Sequence, residues 1–229
     1  MGIRRGYAKE KSKYRDFAER VFRVVFGLFI FAAGNYLTIL GNIGLTPWDS
    51  VHMGITNIFP SLSFGTVHII VSVVVLIADL LMKEKIGLGT IFDAVLVGPF
   101  VDMWTAINPI KSINNFWIGT LVAVVGLFIM AVGQYFYMSG GLSCGPRDSL
   151  LVGVGKRFPK IKIGFVDIGM KIILVIIALA LKGPIGLGTL IAMCGMGLAM
   201  QIVFTIFRFD PRIINQLDLI QTYKSLLRN

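Results

Sequence analysis

Six stretches of this chain are apolar at nearly every position, at about 21–40, 64–82, 86–106, 116–137, 164–182 and 185–207. Each is long enough for the roughly 20 residues that a bilayer-spanning helix needs, so the pattern predicts six spanning helices. Two shorter apolar segments stand apart from these. One carries Trp48, Val51, Met53, Ile55, Ile58 and Phe59; the other carries Leu150, Leu151, Val152 and Val154. The first, 47–59, would extend only about 20 Å as a helix, short of the roughly 30 Å hydrocarbon core. Re-entrant or interfacial helices entering from opposite faces are expected there, since irregular backbone at membrane depth must be covered by protein or water.

The hydrophobic pattern also repeats, at an offset of 99 residues. Gly27-Leu28-Phe29-Ile30 recurs as Gly126-Leu127-Phe128-Ile129, and Pro47-x-Asp49-Ser50 as Pro146-x-Asp148-Ser149. Ile86-Gly87-Leu88-Gly89-Thr90 recurs as Ile185-Gly186-Leu187-Gly188-Thr189. Matching glycines, prolines and an Asp-Ser pair do not follow from shared apolar composition, so the chain is an internal duplication. Its parts are a basic arm (1–19), repeat 1 (20–118), repeat 2 (119–207) and a tail (208–229). Three spans per repeat send the second copy into the membrane from the opposite side. The fold expected is therefore an all-α membrane bundle of six transmembrane helices in two inverted-topology three-helix repeats, each with a short re-entrant or interfacial helix. The rival arrangement counts each short segment as a full crossing and gives four spans per repeat with parallel copies.

Charge placement favours the inverted arrangement. Of 22 Lys and Arg, eight lie in or near the N-terminal arm (Arg4, Arg5, Lys9, Lys11, Lys13, Arg15, Arg20, Arg23). Lys83 and Lys85 follow span two, and Arg147, Lys156, Arg157, Lys160 and Lys162 lie between spans four and five. Arg208, Arg212, Lys224 and Arg228 lie after span six. The alternate loops hold only Lys111 and Lys182. Basic residues mark cytoplasmic loops, which puts both termini inside and the loops equivalent to one another on opposite sides. Topology thus accounts for the net charge of +10, and no nucleic-acid partner is expected.

A chain that is 55% hydrophobic and 15% charged is too apolar for a soluble domain of this size. No cleavable signal peptide is expected, and Cys144 and Cys194 do not suggest a disulfide framework. Trp48, Trp104 and Trp117 are expected in an outer aromatic belt. The tail after Asp210-Pro211 carries Ile213, Ile214, Leu217 and Ile220, an amphipathic pattern predicting an interfacial helix with Pro in its first turn.

The block Gly44-Leu-Thr-Pro-Trp-Asp49 and the block Ile86-Gly-Leu-Gly-Thr90 resemble the YczE/YyaS/YitT family of bacterial integral membrane proteins. The resemblance runs from about Arg20 to Arg208. It implies a multi-pass protein of the cytoplasmic membrane and carries over no catalytic residues.

The twin helix starts are the leading candidates for chemistry. Thr46 and Asp49 have capping-box spacing, and capping alone is one reading of Asp49 and Asp148. The other is that two helix N-termini point at the midplane and hold a solute through free N-H groups, with Ser50 and Ser149 as further hydrogen-bond partners. Asp167 and Lys171, four residues apart, have the favourable order for an intrahelical ion pair. Pairing lowers the cost of a mid-membrane charge, about 2.5 to 3.5 kcal/mol each. Arg147 is expected to approach that pair. The proposed solute site is thus Thr46, Asp49, Ser50, Arg147, Asp148, Ser149, Asp167 and Lys171. Secondary intramembrane polar residues are His68, Asp79, Asp93 and Asp102, with His68 paired to Asp102, and Asp79 and Asp93 neutralised by Lys83 and Lys85. The glycines of the repeats are expected as packing contacts.

No catalytic residue, cofactor or metal site is expected. Gly141-Leu-Ser-Cys-Gly145 fits G-x-S-x-G, but its flanks are membrane helices and no histidine lies in repeat 2. The leading function is transport or permeation of a small solute, anionic or proton-coupled. The alternative is a non-transporting accessory or scaffold protein for a membrane-associated enzyme system. Expected partners are the lipid bilayer and an unidentified solute, with a homo-oligomer left open.

Overall fold

The computed structural model describes residues 2–108, 113–211, 213–214 and 216–227, with the side chains of 2–12 and 226–227 outside the description. Lys111, Arg212 and Arg228, and the side chains of Arg4, Arg5, Lys9 and Lys11, therefore lie outside the described residues. The described residues form α1 (Gly2–Gly41), α2 (Pro47–Ile58), α3 (Phe64–Leu81), α4 (Leu88–Ile107), α5 (Phe116–Ser139), α6 (Pro146–Arg157), α7 (Ile163–Ala180), α8 (Leu187–Ile206) and α9 (Leu219–Leu227). Six of them, α1, α3, α4, α5, α7 and α8, contain a stretch long and apolar enough to cross a membrane. The basic arm is continuous with the first of these, in one 40-residue helix.

Helix starts follow from local chemistry. Thr46 accepts from the Asp49 amide at 3.2 Å and donates its hydroxyl to Asp49 Oδ2 at 2.6 Å, fixing the first turn of α2 behind Pro47. Ser63 accepts from the Thr66 amide at α3, and Asn115 accepts from the Trp117 and Ile118 amides at α5. At α6 the cap is Gly145, which has no side chain, and Asp148 bonds elsewhere.

The centre of the bundle is the crossing of α1 and α5, built on glycines. A Cβ on Gly27 would lie 2.7 Å from the Gly133 carbonyl oxygen, one on Gly34 2.6 Å from that of Gly126, and one on Gly41 2.7 Å from that of Gly119. As the α1 number rises the α5 number falls, so the two helices pack antiparallel, backbone against backbone. Gly27 and Gly126, and Gly34 and Gly133, are equivalent in the two repeats. Each contact is thus answered by its counterpart across the interface, and the expected packing role of these glycines is met.

Outside this crossing the repeats interlock. α4 packs on α1 as α8 packs on α5, and α2 packs on α7 as α3 packs on α6. Gly89 donates its amide to the Leu142 carbonyl at 2.7 Å, and Gly188 donates to that of Ile43 at 2.8 Å. Each Gly-Leu-Gly-Thr turn thus grips the turn that leads into the other repeat's short helix. Positive φ recurs in register as well: Asn42 and Gly141, Gly44 and Ser143, Lys83 and Lys182. The symmetry breaks most at one pair of helices. α3 packs along α4, whereas among the described residues α7 and α8 lack that packing, and α7 is the least buried of the six long helices.

The tail departs from expectation. No helix begins at Pro211; the described residues from there to Asp218 are non-helical, and Asp218 accepts from the Gln221 amide at 2.7 Å and starts α9. Backbone bonds explain the delay. Leu217 donates to the Gly141 carbonyl at 3.0 Å, Leu219 donates to that of Ile86 at 3.0 Å, and Gln216 Oε1 accepts from the Ser143 amide at 3.0 Å. A segment tied by its own amides to another part of the protein cannot also close helical bonds.

Candidate functional site

The starts of α2 and α6 meet at one cavity of about 340 Å³. Thr46, Pro47 and Trp48 reach it from repeat 1, and Gly145, Arg147 and Asp148 from repeat 2. The gap between α7 and α8 forms its other side, with Asp167 and Lys171 from α7 and Met193, Met196 and Met200 from α8. Asp93 on α4 and Gln134 and Tyr137 on α5 complete the polar lining.

Arg147 holds the two starts together. Its Nη2 lies 3.8 Å from Asp49 Oδ1, and its guanidinium carbon sits 5.4 Å from the centre of the Trp48 ring. Asp49 is fully buried and its Oδ1 is also 3.6 Å from His52 Nδ1. Burial works to raise the Asp49 carboxyl, but contact with His52, the charge of Arg147 and the Thr46 hydroxyl outweigh it and hold it well below the usual carboxylate range. Burial depresses the neighbouring His52 imidazole, partly opposed by Asp49. Burial also raises Asp148, against the pull of Arg147 and the amide of Gln134. Asp148 accepts from Gln134 Nε2 at a long 3.4 Å. The expected pair is present: Lys171 Nζ donates to Asp167 Oδ2 at 2.7 Å.

Five of the eight expected site residues line the cavity. Thr46, Asp148, Asp167 and Lys171 line the cavity with Arg147, while Asp49 stands behind Arg147 as its counter-ion. Ser50 and Ser149 do not line it. Ser50 is fully buried and donates to the carbonyls of Leu45 (3.3 Å) and Pro184 (3.1 Å), pinning α2 to the turn before α8.

The secondary residues need correction. His68 does not pair with Asp102. Asp102 Oδ1 accepts from the Gly65 amide at 2.9 Å, because Gly65 and Gly98 bring α3 and α4 into close contact, and the His68 ring packs 5.0 Å from that of His52. Lys83 and Lys85 do not neutralise Asp79 or Asp93. Lys85 lies 3.7 Å from Asp218 of the tail, and neither Asp79 oxygen has a hydrogen-bond partner among the described residues. Asp93 turns instead toward the start of α6, where a Cβ on Gly145 would lie 2.9 Å from its Oδ2. Trp48 lies beneath Arg147 and lines the cavity. Trp104 packs against Phe29 at 5.2 Å, and Trp117 is exposed.

Sequence reasoning missed His52, Tyr137 and Gln134. His52 is fully buried three residues after Asp49, a spacing that was a usable signal. Gln134, the only amide side chain in the largely apolar α5, was a usable signal too, whereas Tyr137 lies among aromatic and apolar positions that give no face a distinct mark. The methionines were missed for the same reason.

The family model described as a family of unknown function, DUF6198, matches residues 18–205. An uncharacterized protein of Haemophilus influenzae is 27% identical over 83% of this chain and 85% of its own length. The uncharacterized membrane protein YczE of Bacillus subtilis is 30% identical over 76% of this chain and 80% of its own length. The uncharacterized protein YyaS of the same organism is 27% identical, over 79% and 90%. No solved structure matches the chain significantly.

Proposed function

The chain belongs to the DUF6198 family, with YczE-like and YyaS-like relatives, and is a multi-pass membrane protein; from this premise we propose that it is a transporter or permease of a small solute, working through the cavity where α2 and α6 meet. The observation that carries the reading is that convergence. Two equivalent helix starts, distant in sequence, supply a polar lining at one solute-sized space inside a bundle of apolar helices. A dry, packed centre would have favoured a scaffold.

In this reading the repeats have inverted topology, α2 and α6 are re-entrant, and both termini lie on the cytoplasmic side of the cell membrane. The antiparallel α1 and α5 crossing and the reciprocal turn contacts support the inversion. The distribution of Lys and Arg supports the orientation. Packed α3 and α4 against separated α7 and α8 is the asymmetry expected of one state in an alternating-access cycle. Of the two solute classes expected, the proton-coupled one is better supported, since four aspartates (Asp49, Asp93, Asp148 and Asp167) stand at or behind the cavity against two bases, Arg147 and Lys171.

The test is purified protein in liposomes, offered a broad solute panel with and without an imposed pH gradient. Uptake that depends on the gradient and falls with Asp148→Asn and Lys171→Ala is expected. No movement of any solute, with those substitutions silent in cells, would sink the reading. The scaffold alternative draws on the tail as a dock: residues 216–219 are bonded to the bundle, while Ile213, Ile220 and Tyr223 stay exposed.

A further inference from the structure

We propose that the cavity binds an organic cation, a quaternary or protonated amine carrying an apolar body. The inference rests on reading the cavity as the solute site and deepens it by naming the class of solute.

The charges at the cavity are unequally engaged. Arg147 faces the buried Asp49 at 3.8 Å and covers the Trp48 ring, and Lys171 is paired with Asp167 at 2.7 Å. Lys171 is thus hydrogen-bonded to its carboxylate, and Arg147 lies within ion-pair distance of Asp49, although its Nη2 makes no hydrogen bond among the described residues. Two acids remain. Asp93 has no hydrogen bond or ion pair among the described residues, and Asp148 has only the long bond from Gln134. An anion entering here would meet two acids that no base is bonded to, whereas a cation would favour their ionised form.

A second observation marks the same place. Tyr137 is 3% exposed, lines the cavity, and its Oη has no hydrogen-bond partner. A buried hydroxyl of this kind calls for a ligand or a role. It stands beside Asp93 at the start of α6, where a Cβ on Gly145 would lie 2.9 Å from Asp93 Oδ2 and 3.7 Å from Tyr137 Oη. The Tyr137 hydroxyl oxygen and the Asp93 and Asp148 carboxyls thus face a cationic centre, which a protonated amine meets by hydrogen bonds and a quaternary one by charge alone.

The walls fit the rest of such a molecule. Met130, Met170, Met193, Met196 and Met200 line the cavity. Thioether side chains are unbranched and polarizable, so they shape themselves to aliphatic or aromatic bodies of different outline. At about 340 Å³ the space suits one small molecule. The acceptor set also belongs to one side only. Asp93 corresponds to Ala192 in repeat 2, and Asp49, the counterpart of Asp148, is already paired with Arg147.

Binding can be measured in detergent without any transport step, using isothermal titration with benzyltrimethylammonium and benzenesulfonate, probes of similar size and opposite charge that do not titrate. The expected result is binding of the ammonium at least tenfold tighter than the sulfonate. Asp93→Asn, Asp93→Ala and Asp148→Asn should each weaken ammonium binding tenfold or more. Equal or tighter binding of the sulfonate by the unmodified protein, which needs no variant to fold, overturns the proposal. So does full ammonium affinity in correctly folded variants at both positions. Ammonium binding that moves no solute in liposomes would sink the transport reading and leave the cation site standing.

Discussion

The guanidinium of Arg147 lies over the indole of Trp48, 5.4 Å from its centre, and the two residues hold the same position in their respective repeats. Their contact therefore lies where the two copies meet. One copy supplies the aromatic face and the other the cation, so duplication followed by divergence has turned a self-contact into a cation-π pair.

Removing the cation strands a charge. Arg147→Ala should cost about 3 kcal/mol of stability, because Asp49 is left buried without its ionic partner. Asp49→Asn in the same chain should recover most of that. Denaturation midpoints in detergent measure both, and a double variant no more stable than the single one would show that the pair does not carry the effect.

The glycine crossing gives a position-specific contrast. Gly34→Ala or Gly133→Ala forces a methyl group into the facing backbone and should cost about 1 to 3 kcal/mol through helix separation. Gly169 has nothing within 4 Å of an added Cβ, so Gly169→Ala should be neutral or stabilising by up to about 1 kcal/mol. Equal melting shifts at the three sites would contradict the packing described.

Cysteine reactivity should separate the two thiols. Burial, with Asp148 adding to it, pushes Cys144 up to about 12, while Cys194 is exposed. Because the thiolate is the nucleophile, on the order of one Cys144 in 10⁴ is reactive at pH 8. In a Cys194→Ser variant, maleimide should label native protein hardly at all and denatured protein fully.

The tail is part of the bundle rather than an appendage. Gln216 accepts from the Ser143 amide and donates to the Met138 carbonyl at 3.1 Å, so Gln216→Ala leaves the Ser143 amide unpaired and the Met138 carbonyl with only the Gly141 amide. A loss of about 1 to 2 kcal/mol is expected, read from the thermal midpoint. Unchanged stability would mean that water replaces both bonds.

Much of this was legible in the chain. Length and apolar continuity located all six long helices, and the 99-residue offset marked the glycines as packing contacts without saying which helices they join. Thr46 and Asp49 announced their cap by spacing alone, as Asp167 and Lys171 did their ion pair. What failed was partner assignment across helices. Asp102 was matched to His68 and Asp93 to lysines by depth in the membrane, but depth does not fix rotation about a helix axis. Close approach of Gly65 to Gly98 decides the first case, and the open start of α6 beside Gly145 bears on the second. The tail failed for a related reason: its apolar spacing suited a helix, and long-range backbone bonds outweighed that local preference.

The reciprocal grip between the two turn regions bears on how the protein is made. Gly89 takes its acceptor from Leu142, and Gly188 takes its own from Ile43, so neither half contains the groups that complete it. During synthesis repeat 1 must wait in the bilayer with those sites unmatched until repeat 2 emerges. A ribosome halted after the third long helix would leave an orphan for membrane proteases, and the two halves supplied as separate chains should survive only when produced together.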